Sequence, residues 1–170
     1  MRPVLVYAFG PYQSFDTNVT QRTLEAMRAP KGVVLHVFDV KFRRAMFERV
    51  FERVRPAAII GLGQHPRARK LRLERRAHSR GNRSRARFVT LDLPRTRDTA
   101  VTYDAGDYVC NFSMWVGTDW CARHGARYAF VHVPKDYAPE RLEAYLRKAI
   151  KLLQRDGAER SSLRGPGRSR

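Results

Sequence analysis

Cysteine is nearly missing from this chain: only Cys110 and Cys121 occur among 170 residues. Two cysteines make no disulfide framework. On one helix, eleven positions apart, they would stand about 16 Å from each other, too far to bridge. A reducing cytoplasm is the expected compartment. Long apolar runs are absent too, so no membrane span is expected. The opening MRPVLVYAFG has one Arg and a short apolar run but no small-residue cleavage site. It reads as a first strand, not a signal peptide. There is no internal repeat and no motif of a nucleic-acid-binding fold. Acidic residues are scarce, with 16 Asp and Glu against 34 Lys and Arg and a net charge of +18.

Arginine supplies 28 of the 34 cations. Segment 67–97 holds eleven of them and Lys70 against Glu74 and Asp92 alone. This surplus fits either a solvated surface or non-specific binding of nucleic acid or another polyanion. Few aromatic residues interleave with the arginines, which argues against sequence-specific recognition.

Hydrophobic residues make up 43% of the chain, enough at this length for one domain with a core. Residues 3–9, 32–40, 57–62 and 128–133 are apolar or alternating and read as strands. Residues 88–93 read as a further strand, and 100–103 lead into a turn. Helical spacing marks 18–27, 42–54, 109–124 and 139–154. Strands alternating with helices predict an α/β fold, a three-layer α/β/α sandwich with a mainly parallel twisted sheet. The domain is expected over 1–155. Residues 156–170, rich in Arg, Ser and Gly, are expected to form a disordered tail.

In such sheets functional residues gather at the carboxyl ends of strands. Phe9 to Tyr12, Gly63 and Gln64, Cys110 and His132 all fall on that rim. Cys110 follows the small-residue turn in TYDAGDYVCN and opens a helix, whose N-terminus favours a thiolate. His132 ends an apolar strand and is the candidate base. Glu74, amid Arg72, Arg75 and Arg76, is a candidate to orient the imidazole. Each residue also has a plain structural reading: a core cysteine, a hydrogen-bonded histidine, a surface ion pair.

Four blocks then resemble the pyroglutamyl-peptidase family (type I pyrrolidone-carboxylate peptidases) over residues 3–150. They are Phe9-Gly10-Pro11-Tyr12 with Asn18-Val19-Thr20; Gly63-Gln64 with Leu73-Glu74-Arg75 and Ala77; Ala105-Gly106 with Tyr108-Val109-Cys110-Asn111; and Phe130-Val131-His132-Val133-Pro134. The resemblance implies a cysteine omega-peptidase that removes an N-terminal pyroglutamyl residue from small peptides through an acyl-enzyme. Cys110 matches the nucleophile, His132 the base and Glu74 its orienting partner. Phe9, Tyr12 and Tyr108 match aromatics flanking the pyroglutamyl ring, Gln64 matches a position whose main chain contacts that ring, and Asn18 is a further candidate for substrate binding. No cofactor or metal is implied.

The chain departs from the family pattern around the pocket. The interval between the Glu and Cys blocks is short and lacks a Pro-Asp-Asn element. Arg83 and Arg85 are both candidates for the arginine expected near the oxyanion. Gln13 and Ser14 replace two glycines and are expected to take a different backbone path. His65-Pro66-Arg67 replaces a small turn. An inactive or altered-specificity relative is the alternative these changes leave open.

Overall fold

In a computed structural model, the backbone is described for residues 2–163 and the side chains for residues 2–157. The element order is β1 (Val4–Phe9), α1 (Val19–Ala26), β2 (Val33–Phe38), α2 (Arg44–Val54), β3 (Ala58–His65), β4 (Leu71–Glu74), β5 (Arg76–Ser79), β6 (Asn82–Phe88), β7 (Thr99–Thr102), α3 (Val109–His124), β8 (Arg127–Pro134) and α4 (Pro139–Leu163). The main sheet has the order β2-β1-β3-β8-β4-β7. Every pairing in it is parallel except β4 with β8. Helices cover both faces, as expected for a three-layer α/β/α sandwich.

The central strands are buried on both faces, which is why VLVYAF and AIIGLG carry almost no polar residue. Val4, Val6 and Ala8 of β1 and Ala58, Ile60 and Leu62 of β3 pack with Leu142, Leu146 and Ile150 of α4. The alternate residues Leu5, Tyr7, Phe9 and Ile59 pack with Phe47 and Phe51 of α2 and with Met114 and Trp120 of α3. A fully buried Leu, Ile or Phe contributes about 1.5–3 kcal/mol, so these two layers dominate the fold's stability.

Glycines let α3 lie close on the sheet. A Cβ at Gly61 would stand 2.5 Å from the Tyr7 hydroxyl, and one at Gly63 2.5 Å from the Cys110 sulfur. On the facing helix, a Cβ at Gly117 would overlap the Tyr128 ring.

Two expectations are corrected. Segment 88–93 is not a strand: β6 ends at Phe88. Val89, Leu91 and Leu93 do point inward, and that alternation is what read as a strand. The chain there joins no ladder; the Thr90 and Leu91 amides both converge on the Tyr128 carbonyl. Secondly, α4 continues to Leu163, through the first part of the segment read as a tail. Gly157 is a single interruption among helix-tolerant residues, which an established helix absorbs. Residues 164–170 of that tail lie outside the described residues. Gln13 takes a left-handed backbone with φ of 50°, a conformation that is costly for a non-glycine residue. Among the described residues, no helix is long and apolar enough to cross a membrane.

Candidate active site

The first turn of α3 carries Cys110. Tyr108 is the N-cap and makes no side-chain capping bond. The Phe112 amide is the first to find an intrahelical partner, the Tyr108 carbonyl at 3.2 Å. The amides of Val109, Cys110 and Asn111 precede it and have no intrahelical acceptor. Buried side chains fix this turn in place. The Tyr7 hydroxyl donates to Ser113 Oγ (2.9 Å), which donates to the Cys110 carbonyl (2.8 Å). Asn111 exchanges two 2.9 Å bonds with the backbone of His78 and so ties α3 to β5.

The candidate base, His132, comes from β8. His132 sits opposite Gly63 in the parallel β3/β8 ladder and opposite Arg72 in the antiparallel β4/β8 ladder. Glu74, two residues further along β4, lies on the same face, within diagonal reach of His132. His132 Nδ1 and Glu74 Oε1 are 2.8 Å apart, and both side chains are almost fully buried. A carboxylate only accepts, so Nδ1 carries the proton and donates it, leaving the Nε2 lone pair free. A Cβ placed on Gly63 would lie 2.5 Å from Cys110 Sγ and 3.3 Å from His132 Cδ2. Sulfur and imidazole edge therefore lie within about 6 Å of each other across that glycine, consistent with loose apo geometry.

Both groups line one cavity of about 290 Å³, together with Phe9, Tyr12, Gln13, Asn18, Val40, Gln64 and the stretch from His65 to Arg67. Ala105, Gly106, Tyr108 and Val109 close the other side. The Tyr12 and Tyr108 rings pack on each other, their centroids 6.2 Å apart and their planes tilted by 40°. This volume is at the lower end for small-molecule sites, suited to a small flat group. Among the described residues, no Asp or Glu lines the cavity, and Arg67 is its only permanent charge.

The sequence-predicted residues separate into three groups. Cys110, His132 and the aromatics Phe9, Tyr12 and Tyr108 meet at the cavity, and Glu74 stands behind His132. Asn18 and Gln64 also line it, but their side chains hold the 10–19 loop. Asn18 caps α1 at Thr20 and donates to the Gly10 carbonyl, while Gln64 Oε1 accepts from the Val19 amide. The Gln64 carbonyl accepts from the Tyr12 hydroxyl at 3.3 Å, which sets one wall of the slot. Neither Arg83 nor Arg85 lines the cavity. The short interval folds as the outer hairpin β5–β6. There Arg83 pairs with Asp104 and Asp107, and Arg85 is exposed.

A lowered thiol pKa is not what the structure gives. Burial pushes the Cys110 thiol up to about 12; the Glu74 carboxylate adds to the rise, and the residue's own amide opposes it. That rise corresponds to about 4 kcal/mol against the thiolate. A helix terminus supplies at most about 2 kcal/mol, so desolvation wins. Cys110 therefore rests as a neutral thiol.

Sequence reasoning did not assign His65 or Arg72 to the site. The His65 ring meets the His132 ring edge to face at 5.1 Å. Its Nδ1 faces the Arg67 amide (3.3 Å) and its Nε2 faces Arg72 Nη1 (3.1 Å). Both neighbours are donors, so no acceptor awaits a further proton. Burial first, then His132 and Arg72, lower its pKa. His65 stays neutral, and His132 is the histidine placed to take a proton. The HP turn replacing a small-residue turn was the signal that the cavity wall here differs.

No family model matches the chain, and no curated protein matches it in sequence. Solved structures do resemble it. Pyrrolidone carboxyl peptidase from Thermococcus litoralis superposes with a TM-score of 0.70 at 17% identity, over 92% of this chain and 96% of that one. A mutant pyrrolidone carboxyl peptidase from Pyrococcus furiosus gives a TM-score of 0.76 at 19% identity, over 91% and 99%. Pyroglutamyl peptidase I from Bacillus amyloliquefaciens gives 0.67 at 23% identity, over 83% and 84%. At these identities the likeness is one of fold.

Proposed function

We propose that this protein is a cysteine peptidase that hydrolyses the bond following an N-terminal pyroglutamyl residue, on the fold it shares with pyrrolidone carboxyl peptidases. One observation carries the reading. Cys110 and His132 open on the same aromatic-walled cavity, and His132 is bonded to the buried Glu74. The pyroglutamyl lactam is flat and uncharged, which suits a cavity walled by Phe9, Tyr12 and Tyr108.

His132 Nε2 accepts the thiol proton as Cys110 Sγ attacks the carbonyl carbon that follows the ring. The tetrahedral oxyanion is held by first-turn amides of α3, that of Cys110 foremost, because these donors lack helical partners. Glu74 stabilises the imidazolium and keeps its ring turned. As the C–N bond breaks, His132 returns the proton to the departing amine. Water, deprotonated by His132, then attacks the thioester and releases pyroglutamate and the free thiol.

Arg67 at the mouth, with no carboxylate in the lining, favours substrates whose next residue is acidic or neutral. Positive charge away from the cavity, at exposed Arg69, Arg85, Arg95 and Arg97, supports weak polyanion binding as a second property, read as affinity lost with added salt.

The test is cleavage of a chromogenic pyroglutamyl amide by the full chain and by Cys110→Ser. The wild type turns over and the variant, equally folded, does not. Absence of turnover by folded wild type, or activity retained without the sulfur, would overturn the proposal.

A further inference from the structure

Arg72 lies between three parts of the site. Its Nε is 3.0 Å from Glu74 Oε1, the same oxygen that accepts from His132. Its Nη1 faces His65 Nε2 at 3.1 Å, and its Nη2 donates to the Asp104 carbonyl at 2.8 Å. Glu74 Oε2 is buried with no hydrogen-bond partner, and Arg72 Nε is likewise buried without an aligned bond. The contact between them is therefore electrostatic, with both of the carboxylate's close partners on one oxygen. A buried carboxylate held from one side takes its position from those partners, and removing either leaves a charge poorly compensated.

The far end of the guanidinium is anchored elsewhere. Asp104 belongs to the loop that carries Tyr108 and enters α3 at Cys110, and His65 forms the opposite wall of the cavity. The planar fork spans the three partners from fixed directions, which a lysine cannot do. Register explains how it reaches them. Arg72 is directly opposite His132 in the antiparallel β4/β8 pair and so shares its face of the sheet.

We infer that Arg72 is a positioning residue for the reaction: it holds Glu74 Oε1 on His132 and fixes that carboxylate relative to the loop leading to the nucleophile. The inference rests on the reading of Cys110, His132 and Glu74 as the reacting set. The groups facing His132 are Glu74 and Arg72 from β4, His65 from β3 and Cys110 from α3. Arg72 is the one that touches both Glu74 and the loop.

The experiment compares wild type with Arg72→Met and Arg72→Lys in the full chain. It has two readouts: kinetics on the pyroglutamyl amide, and the downfield imidazole proton of the His132–Glu74 bond, assigned by its loss in Glu74→Gln. In Arg72→Met, kcat falls about 10- to 100-fold while KM changes little, and the proton signal shifts or broadens. Arg72→Lys restores charge beside Oε1 and recovers part of both. Unchanged kcat and an unchanged proton in Arg72→Met overturn the inference. So does a loss of activity that only follows a loss of folded protein in urea titration. If wild type cleaves no pyroglutamyl substrate, the functional proposal fails, and the proton signal in Arg72→Met alone decides the positioning role.

Discussion

A single methyl group at Gly63 tests the central geometry. Ideal placement puts the new Cβ of Gly63→Ala 2.5 Å from Cys110 Sγ, 3.0 Å from Phe130 Cζ and 3.3 Å from His132 Cδ2. Contacts of this kind settle at about 3.5–4.0 Å, so the sulfur must retreat by about 1 Å. It has little room: Phe130 and Met114 are fully packed, and the turn bearing Cys110 is tied through Ser113 to Tyr7. Overpacking of this sort costs about 1–3 kcal/mol of stability. A displacement of about 1 Å at the reacting atom costs about 100-fold in rate. Urea midpoints measure the first effect and kcat/KM on the pyroglutamyl amide the second. A double-mutant cycle isolates the cause. Cys110→Ala deletes the sulfur, so Gly63→Ala should cost much less stability in that background. An equal cost with and without the sulfur would show that Sγ does not lie over Gly63, and the site as drawn would be wrong.

Two further outcomes follow from the same geometry. An unfolded thiol ionises at about 8.5, whereas folded Cys110 and Cys121 keep their protons to about 12. Between those values the unfolded chain has released protons that the native chain retains, so stability is full below the window and falls as pH rises through it. Each thiol contributes a loss of about 1.4 kcal/mol per pH unit. Cys121→Ala should flatten the fall of urea midpoint between about pH 8 and about pH 10, and a slope equal to wild type would refute the buried-thiol account. At the mouth, Arg67→Glu should shift the kcat/KM ratio between pyroglutamyl-Glu and pyroglutamyl-Lys amides by about five-fold toward the basic substrate; an unchanged ratio would remove Arg67 from specificity.

Much of the molecule was legible in the one-dimensional pattern. Continuous apolar runs marked β1, β3 and β8 because strands covered on both faces need no polar side. The helical spacing of 109–124 coincides with α3. Cys110, His132 and Phe9 were readable as rim residues because they lie at or near the ends of regular elements, whereas the pocket roles of Tyr12 and Tyr108 came from the resemblance of short blocks. Legibility failed wherever a property depends on what stands opposite. The stretch 88–93 alternates like a strand yet has no ladder to join. Arg83 and Arg85 had equal standing in the sequence, and the hairpin carried both away from the cavity.

The order of the main strands and helices and the buried faces were set by the amino-acid sequence alone, because they depend on local periodicity; Cys110 and His132 stood out as a candidate pair through the resemblance of short blocks to a known family. Three-dimensional packing decided the rest. An antiparallel register brought Arg72 and Glu74 beside His132. A missing side chain at Gly63 allowed sulfur and imidazole to meet, and enclosure by the sheet turned a helix-end cysteine into a protonated thiol. Desolvation and charge compensation are sums over neighbours in space, and chain order does not encode who those neighbours are.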